Sequence, residues 1–530
     1  MNWRSGKSGV RPAPAASVLQ TIVRPLAVIG LVILAAALLA SSMTKEVSRD
    51  EHMYCTAGAL LARGEMVYED FSYPAQLPYH PLLLAALYRG LGTTHYLLVG
   101  RLVSTTCDIL VIVLILLIYR SMFGPTRSEG MLFGLAAAVL YAFNPLVDYA
   151  AGYAWNHDVV ILCVVLALWI FLTTDFRQPS RFWRVAVIGA LLTFATCMRI
   201  TTALIALLFL AALFGAAGGS FRNRSGTALP FSLAALVVLI WPLSVIARAP
   251  QAVRLNLVEI PALYGRWLHE IGMAYSKISL TLAALVTPSC LLLLALAGCL
   301  AWIMYRERSN LEKHERPKAL LTALLPLVFL VIAYIPPTMW QQYLAVPVPF
   351  IVIAFAWPLA TLRRHAETPD GRGRYKVIGY VVGAAAVLSI IIYPTTLYRS
   401  IFALVPERWT PVTLHKVSTE IADKVAQPQL VLTLGPLYAL EGGCDIYPEM
   451  AGGSIIYRVA DQMSPEARRI TKTVGPGSLD ELLATRPQSA VMTGIEPSYF
   501  SFLEDPLRQR VPPEWRRDTY QGQLQVYFGP

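Results

Sequence analysis

The fold of this chain turns on the run Ser48-Arg49-Asp50-Glu51-His52-Met53-Tyr54, which follows a long apolar stretch near Val23 to Met43 and leads into an amphipathic segment ending at Gly64. Met53, Ala57, Leu60 and Leu61 recur at i, i+4, i+7 and i+8, which predicts a helix with one apolar face. A helix of this length beside a membrane span would lie along the membrane surface. Gly64 suits the residue just past its C-terminus, where left-handed backbone is needed. Ser48 and Glu51 have capping-box spacing, and Asp50 favours the positive end of the helix dipole. The same Asp50-Glu51 pair also reads as chemistry, because a carboxylate held rigidly beside the bilayer can act on a substrate in a cavity. Capping and catalysis are compatible, and local spacing leaves both open.

Outward from this run, the chain is apolar. Of 530 residues, 56% are hydrophobic and 15% charged, and the mean hydropathy is +0.53. Soluble domains carry about 25% charge. Runs of about 18 or more apolar residues mark membrane spans, and eleven candidates are read: 23–43, 96–118, 130–147, 157–174, 184–198, 202–218, 228–247, 278–304, 319–335, 343–361 and 377–397. The first is long, with no small-residue cleavage site after it, and reads as a retained span rather than a signal peptide. The net charge of +11 sits in short loops, as topology and anionic lipid head groups require, and does not point to nucleic acid.

Lys and Arg set the orientation. Arg4, Lys7, Arg11 and Arg24 precede the first span. Alternate loops carry Arg120 and Arg127; Arg177, Arg181 and Arg184; Arg222 and Arg224; Arg306 to Lys318; and Arg363 to Lys376. That side is expected to be cytoplasmic, in a bacterial-type inner membrane. An odd number of spans then puts the C-terminus outside. Three outer segments, 44–95, 248–277 and 398–530, are long enough to hold chemistry. The tail is richer in polar residues, Pro and Gly. Strand-like runs at Gln429 to Leu434, Ser489 to Met492 and Leu524 to Phe528, with a helical stretch near Leu479 to Leu483, predict a small α/β domain. The expected division is 1–397, a polytopic α-helical membrane domain, and 398–530, an extracytoplasmic α/β domain. Of seven cysteines, Cys107, Cys163, Cys197, Cys290 and Cys299 fall in or beside apolar runs, and no CxxC or Cys/His cluster suggests zinc. Cys55 and Cys444 fall outside the spans, and a disulfide between them is open.

The pattern Asp50-Glu51 … Tyr54 … Ala57 … Leu60 … Gly64 … Tyr68-Glu69-Asp70, followed by Leu77-Pro78-Tyr79-His80-Pro81-Leu82, resembles the first outer loop of the GT-C glycosyltransferases. It is most similar to the family of protein O-mannosyltransferases and aminoarabinose transferases. The likeness is dense over residues 49–84 and loose over the rest. It departs in two places. Only His80-Pro81 matches the usual His-Pro-Pro, and Leu77 stands where the aminoarabinose branch usually has Lys, so neither substrate is assigned. The resemblance implies about eleven transmembrane helices in a GT-C-like arrangement and transfer of a sugar from a polyprenyl-phosphate donor. The acceptor would belong to the cell envelope: a lipid, glycan or protein.

The resemblance further implies that Asp50, with Glu51 beside it, is the catalytic carboxylate. As a general base it would take the acceptor proton. Cations at span ends would then meet the leaving phosphate. Arg199, between two short spans, Arg101 at the start of another, and His80 are the candidates. An Arg at membrane depth is costly and hence a functional candidate, although snorkelling to the interface accounts for it equally well. Tyr343 and Gln342, just before a span, are further donor-site candidates. Trp340, beside them, reads as an interfacial anchor. Asp158, after Asn156-His157, would support the acceptor or a partner of Asp50, with Asn156 as helix cap in the plainer reading. His157, Tyr54, Asp70 and Glu259 complete the acceptor side. Tyr264, Arg266, Trp267, His269 and Glu270 cluster near Glu259 and read singly as a polar interfacial helix. No nucleotide fingerprint occurs. Metal use varies across the superfamily, so a divalent cation stays an option. A transporter would show inverted repeats, of which there is no sign, and charges deep in its spans, which are few here. A non-catalytic envelope-assembly protein would tolerate loss of Asp50.

Overall fold

A computed structural model describes residues 14–530 apart from 125–127, 177, 179, 219 and 274–275. Arg4, Lys7, Arg11, Arg127 and Arg177, used for orientation, lie outside the described residues. Within hydrocarbon every backbone polar group must be satisfied internally, so apolar runs become helices. Eight helical stretches among the described residues are long and apolar enough to cross a membrane: Val23–Thr44, Tyr96–Phe123, Ile200–Ala217, Phe221–Arg248, Pro288–Arg306, Arg316–Tyr334, Gln341–His365 and Pro369–Ile392. Ser128–Ala142 and His157–Thr173 are shorter apolar helices. The protein is a multi-pass membrane protein with a small C-terminal sheet domain.

The helices that place the site are α1 (Pro14–Thr44), α2 (Arg49–Arg63), α3 (Tyr79–Leu91), α4 (Tyr96–Phe123), α5 (Ser128–Ala142), α6 (Pro145–Ala150), α7 (His157–Thr173), α8 (Arg181–Thr196), α9 (Ala203–Ala217) and α10 (Phe221–Arg248). There follow α11 (Pro250–Arg254), α12 (Ile260–Glu270), α13 (Lys277–Leu285), α14 (Pro288–Arg306), α15 (Arg316–Tyr334), α16 (Val348–Ala354), α17 (Ala356–His365) and α18 (Pro369–Ile392).

Helices stand at every expected span, but the expected count of eleven is not reproduced. The run 130–147 stops at Ala142. There the Asn144 side chain caps Leu146 N at 3.0 Å and Pro145 opens the separate α6. The run 278–304 is two helices, because Pro288 starts α14 and disfavours helical backbone at Thr287 before it. α8, at 16 residues, falls short of a crossing length.

The prediction that α2 lies on a membrane surface with one apolar face is corrected. Every residue from Glu51 to Leu61 is buried. α2 shares a core with Leu84 and Tyr88 of α3 on one side and with Leu414, Leu437 and Leu440 of the tail on the other. Enclosure on all sides, not a lipid interface, holds this helix.

The tail continues through α19 (Thr395–Arg399), α20 (Thr410–Ala422), α21 (Pro436–Gly442), α22 (Ser454–Ala460), α23 (Pro465–Thr471) and α24 (Leu479–Thr485). Its strands are β1 (Leu430–Thr433), β2 (Asp445–Ile446), β3 (Ala490–Thr493), β4 (Arg516–Tyr520) and β5 (Leu524–Phe528), in the order β2-β1-β3-β5-β4. β1 runs parallel to β2 and β3, whereas β5 is antiparallel to β3 and β4. The three strand runs and the helix read from the tail sequence are present. β2 is only two residues long, and β4 is polar and largely exposed, so neither had an apolar signal. The carboxyl ends of β1 and β3 face α2: a side chain at Gly435 would meet Ile495 and come within 3.2 Å of His52 Cε1. Glu441 of α21 accepts from Leu97 N at 2.6 Å, tying the tail to the start of α4. Cys55 and Cys444 are free thiols.

Candidate functional site

The start of α2 is built as its spacing predicts. Ser48 and Glu51 form a complete capping box, with Ser48 N donating to Glu51 Oε2 at 2.9 Å. Glu51 has a second role. Its Oε1 accepts from Arg101 Nε and from Ala154 N, each at 2.8 Å, and its Oε2 accepts from Arg101 Nη2 at 2.8 Å. Arg101 also donates to the carbonyls of Ser42 and Lys45 at 2.8 Å and of Glu46 at 2.9 Å. Both side chains are 0% exposed. All five guanidinium N–H groups are thereby used, and all four lone-pair sites of the carboxylate. Arg101 therefore has no donor left for a phosphate.

Two glycines permit this closure. A Cβ on Gly100 would lie 2.6 Å from Ala154 Cβ, so only Gly lets α4 approach the 151–156 segment. Gly152 has φ +77° and packs on Ser42, a conformation and a gap that suit Gly alone.

Asp50, one residue earlier, is the opposite case. It is half-buried, and its carboxylate accepts no hydrogen bond among the described residues. Burial pushes its pKa above the ordinary carboxylate value. The charges of Arg49 and Arg458 pull it back, and Glu51 adds to the rise.

A second group assembles inside the helices. The chain breaks after α8, and Arg199 sits in the short turn before α9. Its Nη1 lies 3.0 Å from His157 Nδ1, and its guanidinium stacks 4.5 Å from the centre of the Tyr343 ring. His157 in turn stacks on Tyr343 at 5.9 Å. The rest of the Arg199 fork makes no protein hydrogen bond among the described residues. Arg199, His157, Tyr343 and Thr202 line one narrow cavity, whose other walls are Val160, Phe329, Ile332, Ala333 and Val346. An adjoining narrow cavity shares His157 and Val346 and adds Asp158, Gln342 and Tyr141. Gln342 Oε1 is buried without a partner. Asp158 Oδ2 accepts from Gly152 N at 2.9 Å.

Tyr54 lies between the two groups. It is buried, and burial is the main cause that raises its hydroxyl pKa, followed by the charges of Asp50 and Tyr343 and opposed by Arg199. His80 packs edge-on to Tyr54 at 5.0 Å. Burial lowers His80 to about 3, so it is neutral at pH 7 and would not meet a phosphate as a cation. Of the residues singled out in the sequence, Arg199, His157, Tyr343, Gln342 and Asp158 converge, with Tyr54 and His80 adjoining. Four do not join them, the first being Glu51, whose carboxylate is filled by Arg101, Ala154 and Ser48. Arg101 is consumed by Glu51. Asp70 is exposed and closes a turn by accepting from Met66 N at 2.7 Å. Glu259 ends a π-helical turn and lines neither cavity. Asn156 makes no side-chain cap hydrogen bond at the start of α7, and its Nδ2 donates to Gln76 Oε1 and Met198 O.

The sequence reading missed Arg458, which lies about four hundred residues from Asp50 and has no spacing signal. It is buried, donates to Ser454 and to Tyr264 Oη, and stacks against Tyr264, Trp267 and Phe500 at 5.1–5.2 Å.

The architecture is shared with solved structures of polytopic membrane proteins. No protein-family model and no curated sequence matches the chain. Among solved structures it is similar to ArnT from Cupriavidus metallidurans bound to undecaprenyl phosphate, with TM-score 0.60, 15% identity, and 98% of this chain and 100% of that one covered. An Archaeoglobus fulgidus oligosaccharyltransferase tethered to an acceptor peptide containing the NVT sequon is also similar, with TM-score 0.51 and 11% identity over 95% of this chain and 74% of that one. So is the archaeal oligosaccharyltransferase AglB from Archaeoglobus fulgidus in complex with an inhibitory peptide and a dolichol-phosphate, with TM-score 0.50, 11% identity, and 94% and 74% covered. At these identities the likeness is one of fold.

Proposed function

We propose that this protein is a glycosyltransferase that moves a sugar from a polyprenyl-phosphate donor to a cell-envelope acceptor at the outer face of the membrane. One observation carries the reading. Of two carboxylates and two guanidiniums, Glu51 and Arg101 are closed on each other, whereas Asp50 and Arg199 are open and both bear on Tyr54. Half-buried charges whose hydrogen-bonding capacity is largely unfilled are expensive, so the open pair marks where a substrate belongs. The cavity at Arg199 joins a cation to apolar walls, as a phosphate on an isoprenoid tail requires. Two proteins of this fold are described with undecaprenyl phosphate and dolichol-phosphate bound.

In this reading Asp50 takes the proton of the acceptor hydroxyl as its oxygen bonds to the anomeric carbon. The bond from that carbon to the phosphate oxygen breaks. The lipid phosphate leaves with its charge held by Arg199, and His157 and Tyr343 keep the guanidinium in place. Residues 1–397 form the transmembrane domain that carries the reacting groups. Residues 398–530 form the extracytoplasmic domain, and the N-terminus is cytoplasmic, as the basic loops require. Among the described residues the one group of three ligand-type side chains is His95, His415 and Glu441, which lines neither cavity. Its two imidazoles stack at 3.5 Å, and its ligand atoms lie within 4.8 Å of one another. No step is assigned to a metal.

The test is sugar transfer by the full-length protein in proteoliposomes. Undecaprenyl-phosphate glucose, mannose and arabinose are offered as donors to an envelope-lipid extract, comparing wild type with Asp50→Asn. Transfer by wild type and its loss in the folded variant support the reading. Full transfer by Asp50→Asn, or none from any donor in wild type, overturns it.

A further inference from the structure

The sheet domain presents an unexplained carboxylate to the start of α2. Glu496 follows β3 at its carboxyl end, on a loop pinned by Glu504, which accepts from the backbone N–H groups of Gly494, Ile495 and Glu496. The Glu496 side chain is 1% exposed, and neither carboxylate oxygen has a hydrogen-bond partner among the described residues. Buried carboxylates in this state are rare and call for a reason. The nearest cation is Arg49 Nη1 at 3.5 Å, across the boundary between the tail and α2. Arg49 adjoins Asp50 in the chain. Its guanidinium also stacks on Phe500 at 4.6 Å and reaches Tyr499 Oη at 3.4 Å. On the same Phe500 ring, Arg458 stacks at 5.1 Å. One short segment after β3 therefore holds both guanidiniums whose charge reaches Asp50. In open α/β sheets the carboxyl ends of parallel strands are where ligands are received. Here that crevice receives the first turn of α2.

We propose that Glu496 is a positioning residue of the reaction centre, holding Arg49 against Phe500 so that the sheet domain fixes the first turn of α2, from which Asp50 projects. The inference rests on Asp50 being the reacting carboxylate. It makes the sheet domain part of the catalytic unit rather than an acceptor-recruiting appendage. Glu496 and Arg49 then act as one device, so their removal is not additive.

The experiment measures kcat and donor KM for Glu496→Gln, Arg49→Gln, the double variant and Glu496→Asp, in the full-length protein in proteoliposomes. The donors are the same undecaprenyl-phosphate sugars. Thermal unfolding in detergent is measured alongside, to hold stability apart from chemistry. Each single Gln variant is expected to lower kcat about tenfold with donor KM within about twofold. The double variant should be no slower than the slower single, and Glu496→Asp should restore part of the loss. Wild-type kcat in Glu496→Gln, or losses that multiply in the double variant, would overturn the proposal. Asp50→Asn in the same assay separates the two readings. If it transfers sugar at the wild-type rate, Asp50 is not the reacting group and both fall. If it is inactive while Glu496→Gln is fully active, only the positioning role falls.

Discussion

The Arg101 guanidinium grips the Glu51 carboxylate through two contacts of 2.8 Å, both side chains entirely out of solvent. Breaking one partner of such a pair leaves the other charged and buried, at a cost of roughly 3–5 kcal/mol. Arg101→Met is therefore expected to lower the unfolding temperature sharply in detergent and to reduce the yield of folded protein. A stable Arg101→Met protein would show that the pair is dispensable to the fold.

Asp50→Asn keeps the size of the side chain and breaks no protein hydrogen bond. Its unfolding temperature is expected to stay near wild type while sugar transfer falls roughly 10²–10⁴-fold, the usual contribution of a general base. Unfolding of the variant at much lower temperature would instead assign Asp50 to the stability of the helix start.

Arg199 has an open guanidinium fork over an apolar cavity. Hydrogen bonds to charged groups contribute about 1.5–3 kcal/mol. Arg199→Gln should thus weaken undecaprenyl-phosphate binding by roughly ten- to a hundredfold, read by titration of the purified protein. Arg101→Lys should not change that affinity where the protein remains folded. Equal affinity in Arg199→Gln would place the phosphate elsewhere.

The acid limb of the transfer rate should report Asp50. The base must be ionised, and burial raises its pKa above the ordinary carboxylate value, so activity is lost as pH falls through that raised value. Arg49 and Glu51 on α2 and Arg458 on α22 act on it by charge, with Tyr54, Tyr149, Tyr264 and Tyr343 also facing it. Removing the positive charge in Arg458→Gln is expected to move the limb to higher pH. An unmoved limb would mean that another group titrates. For stability the sign is opposite to that of a salt-bridged acid. The folded state binds the proton more tightly than the unfolded chain, so this group favours folding below its unfolded pKa and loses that contribution as pH rises through the folded one.

Much of the site was legible, for reasons that can be named. Arg199 stood out because an Arg at membrane depth has few cheap explanations, and Tyr343 and Gln342 because they precede a span. Glu51 illustrates the limit. Capping-box spacing is local and was read correctly, but the carboxylate has four acceptor sites, and the partners of the remaining ones come from Arg101 and Ala154, fifty and more residues away. Arg101 looked like a free cation for the same reason. Asp70 and Glu259 were plausible acidic groups near a loop motif, yet a carboxylate can close a turn as readily as bind a substrate.

The sequence by itself determined that the chain is polytopic, that a capped helix follows the first span, and that the tail folds around a small sheet. Hydropathy and capping are properties of a few neighbouring residues and need no fold to be read. Tertiary structure alone decided which carboxylate is neutralised and which stands open, and that the sheet domain encloses the helix carrying both. Pairing of charges depends on three-dimensional proximity. Arg101, Arg458 and Glu496 reach the first turn of α2 from distant parts of the chain, where no spacing rule connects them.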